Sequence, residues 1–444
     1  MLLALDCTGF DQDGLGIGAV GDQTVHVAGA VPGDRLEVAI LHRSPHGPHA
    51  WARLVRVVGA SPDRLAPACP NVGRCGGCMM QCAAYPLQVA HKQVQVERAL
   101  TGLGGAIEPL VPSPRVLGYR NKVKLVAAAR PGGAVVLGAY APRSHRIIDM
   151  AGCRVGEPPL DPIARTLARL CSQHAVVPFH ERTHKGTLRY VILRANHEGR
   201  VLAVLVTAAR AFAAGGALAQ ELHAQHPEVA GVVQNVNPAR GGALLGAEEH
   251  PLHGAAELPD RVGEVGLKLS ARAFFQINRV QAAALYQATL AAAAPTGSDT
   301  VVDFYSGVGG IALTVAPHAG RVLAVESDPA AADCARRSAS AAGLGNVSVV
   351  AADATAGAAI IERADLVILD PPRKGCAADL LRAAARLRPR RMVYVSCSLP
   401  ALARDLSTLQ ALGYQAAWTR PFDLFPHTPH IETLTVLDRT TRAA

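Results

Sequence analysis

The chain has 444 residues, of which half are hydrophobic and 18% charged, and it carries a net charge of +9. That length exceeds the roughly 250–300 residues one core supports, so two or three domains are expected, and the apolar content excludes a disordered chain. No apolar run reaches the ~18–20 residues of a membrane span, and the first basic residue is Arg35, so neither an anchor nor a signal peptide is expected. The expected compartment is the cytoplasm, where ten cysteines read as metal ligands, a nucleophile and core filler, not as disulfides. The charge is unevenly spread. Residues 1–60 carry 4 basic and 6 acidic side chains, residues 61–200 carry 19 and 8, and residues 201–444 carry 21 of each. An excess confined to the second segment points to a polyanion, most simply nucleic acid, although a solvated basic face is the plainer reading.

In chain order, residues 1–60 read as short strands punctuated by glycines. Thr24–Val27 and Leu36–Ile40 alternate like half-buried strands around a Val31-Pro32-Gly33-Asp34 turn. About five such strands predict a small OB-like barrel. A linker through Ser61-Pro62-Asp63-Arg64 leads into Cys69-x5-Cys75-x2-Cys78, with Gly76-Gly77 between the last pair. Glycines there let backbone N–H groups approach sulfur, as a zinc or iron–sulfur site requires, and spacing alone leaves both metals open. The fourth thiolate must come from elsewhere, with Cys153 the best candidate and Cys82 a nearer competitor. Residues 83–103 predict a helix with Leu87, Ala90, Val94 and Ala99 on one face. Strand patterns follow at 122–128, 135–137, 190–195, 201–207 and 231–235. Cys7, Cys171, Cys334 and Cys376 read as core or surface residues.

From about residue 265 strands alternate with helical stretches, at 301–304, 322–325, 347–350, 366–369 and 392–395, which predicts a doubly wound parallel sheet. The loop Asp303-Phe304-Tyr305-Ser306-Gly307-Val308-Gly309-Gly310 joins the first of these strands to a helix, so a ligand can approach its backbone. Glu326, 23 residues beyond Asp303, stands where an acid takes ribose hydroxyls in such folds. The spacing lacks GxGxxG, which favours S-adenosylmethionine over a nicotinamide. Asp353 could approach the adenine. Asp370-Pro371-Pro372-Arg373-Lys374-Gly375 ends the fourth strand over the same crevice, and Cys397 ends the fifth. A cysteine beside a methyl donor suits pyrimidine chemistry: a thiolate adds to uracil C6, C5 takes the methyl, and a base removes the C5 proton so that the thiolate leaves. The scheme asks for a low-pKa thiol and a carboxylate. Glu432 in the tail can be that carboxylate, or simply an edge-strand acid.

Taken in order, these motifs resemble the 5-methyluridine RNA methyltransferase family, with a TRAM barrel, a [4Fe–4S] cluster and a Rossmann-like catalytic domain. The resemblance spans nearly the whole chain. It is carried by Ala30-Val31-Pro32-Gly33-Asp34, Ser61-Pro62-Asp63-Arg64, the four cysteines Cys69, Cys75, Cys78 and Cys153, Tyr119-Arg120-Asn121-Lys122 and Phe274-Phe275-Gln276-Ile277-Asn278. Asp370-Pro371-Pro372-Arg373, Val395-Ser396-Cys397, Ala403-Arg404-Asp405-Leu406 and Pro426-His427-Thr428-Pro429-His430-Ile431-Glu432 complete it. It implies a multidomain α/β protein: a barrel over 1–60, an α+β cluster-bearing and RNA-binding segment over 61–264, and a methyltransferase domain over 265–444, with roughly 81–113 packing against the last. It implies Cys397 as nucleophile, Glu432 as base, and Gln276, Tyr305, Gly310, Glu326, Asp353 and Asp370 as S-adenosylmethionine contacts. It turns the cysteine site into [4Fe–4S], held by Cys69, Cys75, Cys78 and Cys153, and points to 23S rRNA over tRNA, with the protein acting as a monomer. Two positions depart from the family pattern: Gly310, where a polar Asn or Thr is common, and Ser398-Leu399, where Asn-Pro is common. The basic middle, through Arg115, Arg120, Lys122, Lys124, Arg143 and Arg146, is expected to take phosphates. A cytosine-C5 methyltransferase and a non-catalytic iron–sulfur RNA-binding protein are the competing readings.

Overall fold

The computed structural model describes residues 2–142, 144–239 and 244–440. Arg143 therefore lies outside the described residues. The first sheet contains β1 (Leu2–Asp6), β2 (Gly9–Phe10), β3 (Gly16–Val20), β4 (Gln23–Val27), β5 (Arg35–Arg43) and β6 (His49–Gly59), in the order β1-β5-β6-β4-β3-β2. Its core is Leu5, Val25, Val27, Leu36, Val38 and Ala50. Asp34 ties the turn to the linker. It accepts from the N–H of Val31 at 2.7 Å and of Ser61 at 3.0 Å, and from Arg64 Nη2 at 2.6 Å.

A single helix, α1 (Tyr85–Ala99), and the short β7 (Ala106–Ile107) follow. The helix buries a different face from the one its apolar residues predict. Gln88, Lys92 and Val96 are inside, while Val94 is 40% exposed. Lys92 Nζ reaches Asp423 Oδ1 at 2.7 Å with both side chains fully buried, and Gln88 Oε1 accepts the N–H of His427 at 2.9 Å. A buried ion pair and amide contact have overridden hydrophobic periodicity, because their partners lie more than 330 residues away.

The middle of the chain builds a seven-stranded sheet from β8 (Lys122–Ala129), β9 (Val135–Tyr140), β10 (Ile147–Asp149), β11 (Leu188–Ala195), β12 (Val201–Thr207), β13 (Val229–Val236) and β14 (Glu248–Gly254). The helices α2 (Leu160–Gln173) and α3 (Gly215–Gln225) share one core with it. The hairpin β15 (Glu257–Val262) and β16 (Val265–Ser270) leads into α4 (Arg279–Ala293).

The last sheet carries the glycine loop. Its strands are β17 (Thr300–Phe304), β18 (Arg321–Glu326), β19 (Val347–Ala351), β20 (Leu366–Leu369), β21 (Arg391–Ser396), β22 (Tyr414–Phe422) and β23 (Glu432–Arg439). They are interleaved with α5 (Gly310–Val315), α6 (Pro329–Ala341), α7 (Ala354–Ala359), α8 (Ala378–Arg386) and α9 (Leu399–Ala411). Five strands are parallel, in the order β19-β18-β17-β20-β21, with β23, β22 and β7 completing the edge. The five strands expected to be parallel are so, and β23, which the expectation did not include, runs antiparallel to both β21 and β22. Alternate residues of the parallel strands enter two different cores: Val301, Ile368 and Val393 one, Val302, Val367 and Met392 the other. Both faces are covered, so these strands read as continuous apolar runs. The segment after α1 joins this sheet, with Ala106–Ile107 pairing with Trp418–Thr419.

Candidate active site

The antiparallel return of β23 creates the site. Its register sets Ser396 opposite Thr433, so one step further the chain brings Cys397 and Glu432 together at the carboxyl end of the parallel strands. Asp370 ends β20 beside them, and Asp303 lies near the end of β17. Glu432 and Asp303 are 2% and 1% exposed. Burial, then neighbouring Asp370, holds the Glu432 carboxyl well above the usual carboxylate range, while Arg373 opposes this. Burial likewise raises Asp370 to about 7. Asp303 is held well above its ordinary value by burial and by Asp370, with the backbone N–H of Ala312 acting the other way. Carboxyls crowded in a water-poor pocket keep protons, because they cannot all ionise together.

Cys397 is half-buried, and its thiol is pushed up to about 11 by burial, Glu432 and Asp370, with Arg373 acting the other way. The low-pKa thiol that the chemistry asks for is thus not a property of the free protein. Arg373 extends from the loop 371–376 to within 3.4 Å of His430 Nε2. That loop is held from behind by Asp405, which accepts from the N–H of Cys376 at 2.8 Å and from Tyr394 Oη at 2.6 Å; Arg404 Nη2 donates to Lys374 O at 2.8 Å. The Ala403–Leu406 motif therefore acts through the Asp370 loop. After the thiol, Ser398 caps α9 through Ala401 N–H and Pro400 occupies the first turn, so the departure at Ser398-Leu399 still starts a helix.

Of the expected cofactor residues, Tyr305 and Gly310 belong to the glycine loop and Glu326 is bonded to it. Tyr305, at φ 65°, turns the chain out of β17, and Gly309 at φ 87° caps α5. Glu326 Oε2 accepts the Gly307 N–H at 2.9 Å, bracing the loop. Gln276 is buried on the segment before α4, held by Asn121 Nδ2 on its backbone oxygen at 2.9 Å. Asp353 caps α7 through the Thr355 N–H at 2.9 Å, with its side chain exposed to solvent. Asp303 was not singled out from sequence as a site residue, although it had a readable signal, an acid at the end of an otherwise apolar strand.

Cys69, Cys75, Cys78 and Cys153 line one cavity of about 430 Å³ together with Arg120, Lys122 and Gly76-Gly77. The cavity separates the two candidates for the fourth thiol. Cys153 lines it, whereas Cys82 is buried in a different cluster with Phe10, Val31 and Met80. Burial raises Cys78 to about 12, with the other three thiols adding to the effect and Arg120 opposing it. The donor set is one that thiolate-ligated iron or zinc uses. As the side chains stand, no group of three or more His, Cys, Asp or Glu among the described residues closes on a metal ion. Arg120 and Lys122, both half-buried, line this cavity together with Lys124. Burial, with Arg194 and Lys124 nearby, lowers Lys122 to about 8.

A parallel sheet with a glycine loop at its first turn and acids at its strand ends defines the class I methyltransferase fold. The likeness to a solved structure covers the whole chain: the Pyrococcus abyssi tRNA (uracil-54, C5)-methyltransferase, in complex with S-adenosyl-L-homocysteine, superposes with a TM-score of 0.79 at 24% identity, covering 98% of this chain and 100% of that one. Residues 262–440 match the family described as tRNA (Uracil-5-)-methyltransferase. Two relatives described as RNA methyltransferases are similar along their lengths. One, from Halalkalibacterium halodurans, is 36% identical over 96% of this chain and 94% of its own. The other, from Geobacter sulfurreducens, is 37% identical over 98% and 90%. The chain belongs to the RNA (uracil-5-)-methyltransferase family and is an S-adenosylmethionine-dependent enzyme. No helix among the described residues is long and apolar enough to cross a membrane.

Proposed function

We propose that the protein is a cytoplasmic, monomeric enzyme that methylates C5 of a uridine in RNA, with 23S rRNA its substrate, through Cys397 and Glu432. The observation that carries this reading is the meeting of a thiol and a buried carboxyl across the β21/β23 register, at the strand ends that face the glycine loop. Cys397 sulfur adds to C6, giving an enolate whose C5 takes the methyl from the sulfonium; Glu432 then takes the C5 proton and the C6–S bond breaks. Gln276, Tyr305, Gly310, Glu326, Asp353 and Asp370 hold the cofactor. The uridine has to leave its stack to reach a half-buried thiol, so a loop or flipped nucleotide is the natural target.

In the same reading Cys69, Cys75, Cys78 and Cys153 hold a [4Fe–4S] cluster, supported by four thiols around one cavity. A bound cluster would tie the 69–78 loop to the β10–α2 connection that carries Cys153. Anaerobic isolation with equal iron and sulfide, both lost in Cys153→Ser, supports it; stoichiometric zinc in their place rejects it.

The substrate is tested by mapping 5-methyluridine in separated 23S, 16S and transfer RNA from gene-deleted and parent cells. Loss at 23S positions supports the reading. Loss confined to transfer RNA favours a second reading, for which the transfer-RNA activity of the Pyrococcus neighbour speaks. No loss of 5-methyluridine, with loss of 5-methylcytidine, would move the enzyme to cytosine.

A further inference from the structure

Gln276 lies within residues 273–277, a stretch between β16 and α4 that belongs to no strand or helix. Its course is therefore set by the hydrogen bonds its carbonyls receive. Asn121, 1% exposed and immediately before β8, supplies two of them. Its Nδ2 donates to Gln276 O at 2.9 Å, and its backbone N–H donates to Ile277 O at 2.8 Å. The Asn121 carbonyl accepts from the N–H of Ala195 at 2.7 Å, so the residue that holds the stretch is itself fixed to β11. Arg194, also on β11, donates to Ala273 O. The far end is pinned by Asn278, whose Oδ1 caps α4 and whose Nδ2 reaches Ser113 Oγ and Leu424 O, both at 3.2 Å. Two consecutive carbonyls held by one residue fix the peptide planes that follow Gln276, and with them the direction its side chain leaves the backbone. A long side chain on a loose coil loses backbone and rotamer freedom when it meets a ligand. Ordering the coil beforehand removes much of that cost.

We propose that Asn121 is a positioning residue for cofactor binding, its amide and backbone N–H holding the Gln276 and Ile277 carbonyls so that the Gln276 side chain is presented to S-adenosylmethionine. The inference rests on the reading of Gln276 as a cofactor contact given above. Asparagine suits the place chemically. It is short, it donates, and it brings no charge into a buried position, whereas aspartate of the same size would set a carboxylate oxygen against a carbonyl oxygen. Cofactor affinity then depends on a residue that leads into the middle sheet, outside the stretch 262–440 that matches the family.

The test is a double-mutant cycle on the full-length enzyme, read by calorimetry with S-adenosylhomocysteine in the absence of RNA. Turnover is followed alongside with undermethylated total RNA from gene-deleted cells. Asn121→Ala is expected to weaken S-adenosylhomocysteine binding by about tenfold and to raise KM for S-adenosylmethionine by a similar factor. Its kcat at saturating cofactor should stay within about twofold of the parent, since the held group binds and does not react. Asn121→Asp, which keeps the size and loses the donor, should weaken binding at least as much. Because Asn121 acts through Gln276, Asn121→Ala/Gln276→Ala should bind no more weakly than Gln276→Ala alone. A merely structural role would lower the thermal midpoint and the number of sites titrated while the remaining sites keep their affinity, and that result overturns the proposal. Fully additive losses in the double variant overturn it as well, because Asn121 would then act by another route. If Gln276→Ala itself binds as tightly as the parent, the cofactor assignment of Gln276 fails first and the role of Asn121 falls with it.

Discussion

Cys397 is poorly prepared to attack while the cofactor is absent. With its thiol at about 11, the thiolate fraction near pH 8 is on the order of one in a thousand. The causes are burial and two carboxyls, and the remedy is positive charge. Site-resolved alkylation by iodoacetamide should therefore be slow in the free protein and rise about tenfold per pH unit up to pH 11. S-adenosylmethionine, which brings a sulfonium, should accelerate it, and S-adenosylhomocysteine should do so much less; equal effects of the two ligands reject this account. Asp370 gives a second prediction with a worked sign. Its carboxyl is raised to about 7, so below that pH the free site holds a proton that a cationic cofactor must displace. Affinity for S-adenosylmethionine should strengthen by up to about tenfold per unit as pH rises from 5.5 toward 7, then level off. Calorimetry at pH 6 and pH 8 reads it, and Asp370→Asn should bind more weakly and lose the dependence.

The parallel strands were legible in the sequence because both their faces are buried and each reads as an apolar run. The α1 helix was legible in extent, residues 83–103 against Tyr85–Ala99, and misread in orientation. Its inner face is set by Asp423 and His427, and no local pattern can report partners so far along the chain. Hydrophobic spacing predicts a face only where burial is apolar. The element-level prediction follows from that buried pair. Lys92→Met leaves Asp423 buried with Tyr85 as its remaining side-chain partner, and should cost about 3–5 kcal/mol of local stability. A lowered thermal midpoint is expected, with turnover lost because Asp423 begins the connection to Glu432. Adding Asp423→Asn should recover part of the midpoint, since it removes the stranded charge; a double variant no better than the single contradicts this. The two closing strands, β22 and β23, were not read at all. Tyr414–Phe422 mixes Gln, Arg and Pro with apolar residues, and its strand character comes from pairing with β23.

Across the whole molecule, the basic excess of residues 61–200 divides by burial. Arg120 and Lys122 line the cysteine cavity and are half-buried, while Arg115, Arg146 and Lys124, which also lines that cavity, are exposed. Replacing those three by Ala should flatten the salt dependence of RNA binding by about 0.7–0.9 in log–log slope for each phosphate left without its cation. Arg120→Ala should leave the slope unchanged and alter the reactivity of Cys78, whose thiol Arg120 holds down. A full loss of slope in Arg120→Ala would return that residue to the RNA surface. The sequence by itself determined the order of motifs, the strand-and-helix alternation, the glycine loop and the acid and thiol that end successive strands, because each is written in contiguous residues with local physical causes. Only the tertiary structure decided which thiol joins Cys69, Cys75 and Cys78 around one cavity, which face of α1 is buried, and that Glu432 lies beside Cys397. It also decided that Asn121 holds the backbone of Gln276. Those are meetings between distant segments, brought about by an antiparallel register and by buried polar pairs, and neither leaves a periodicity in the chain.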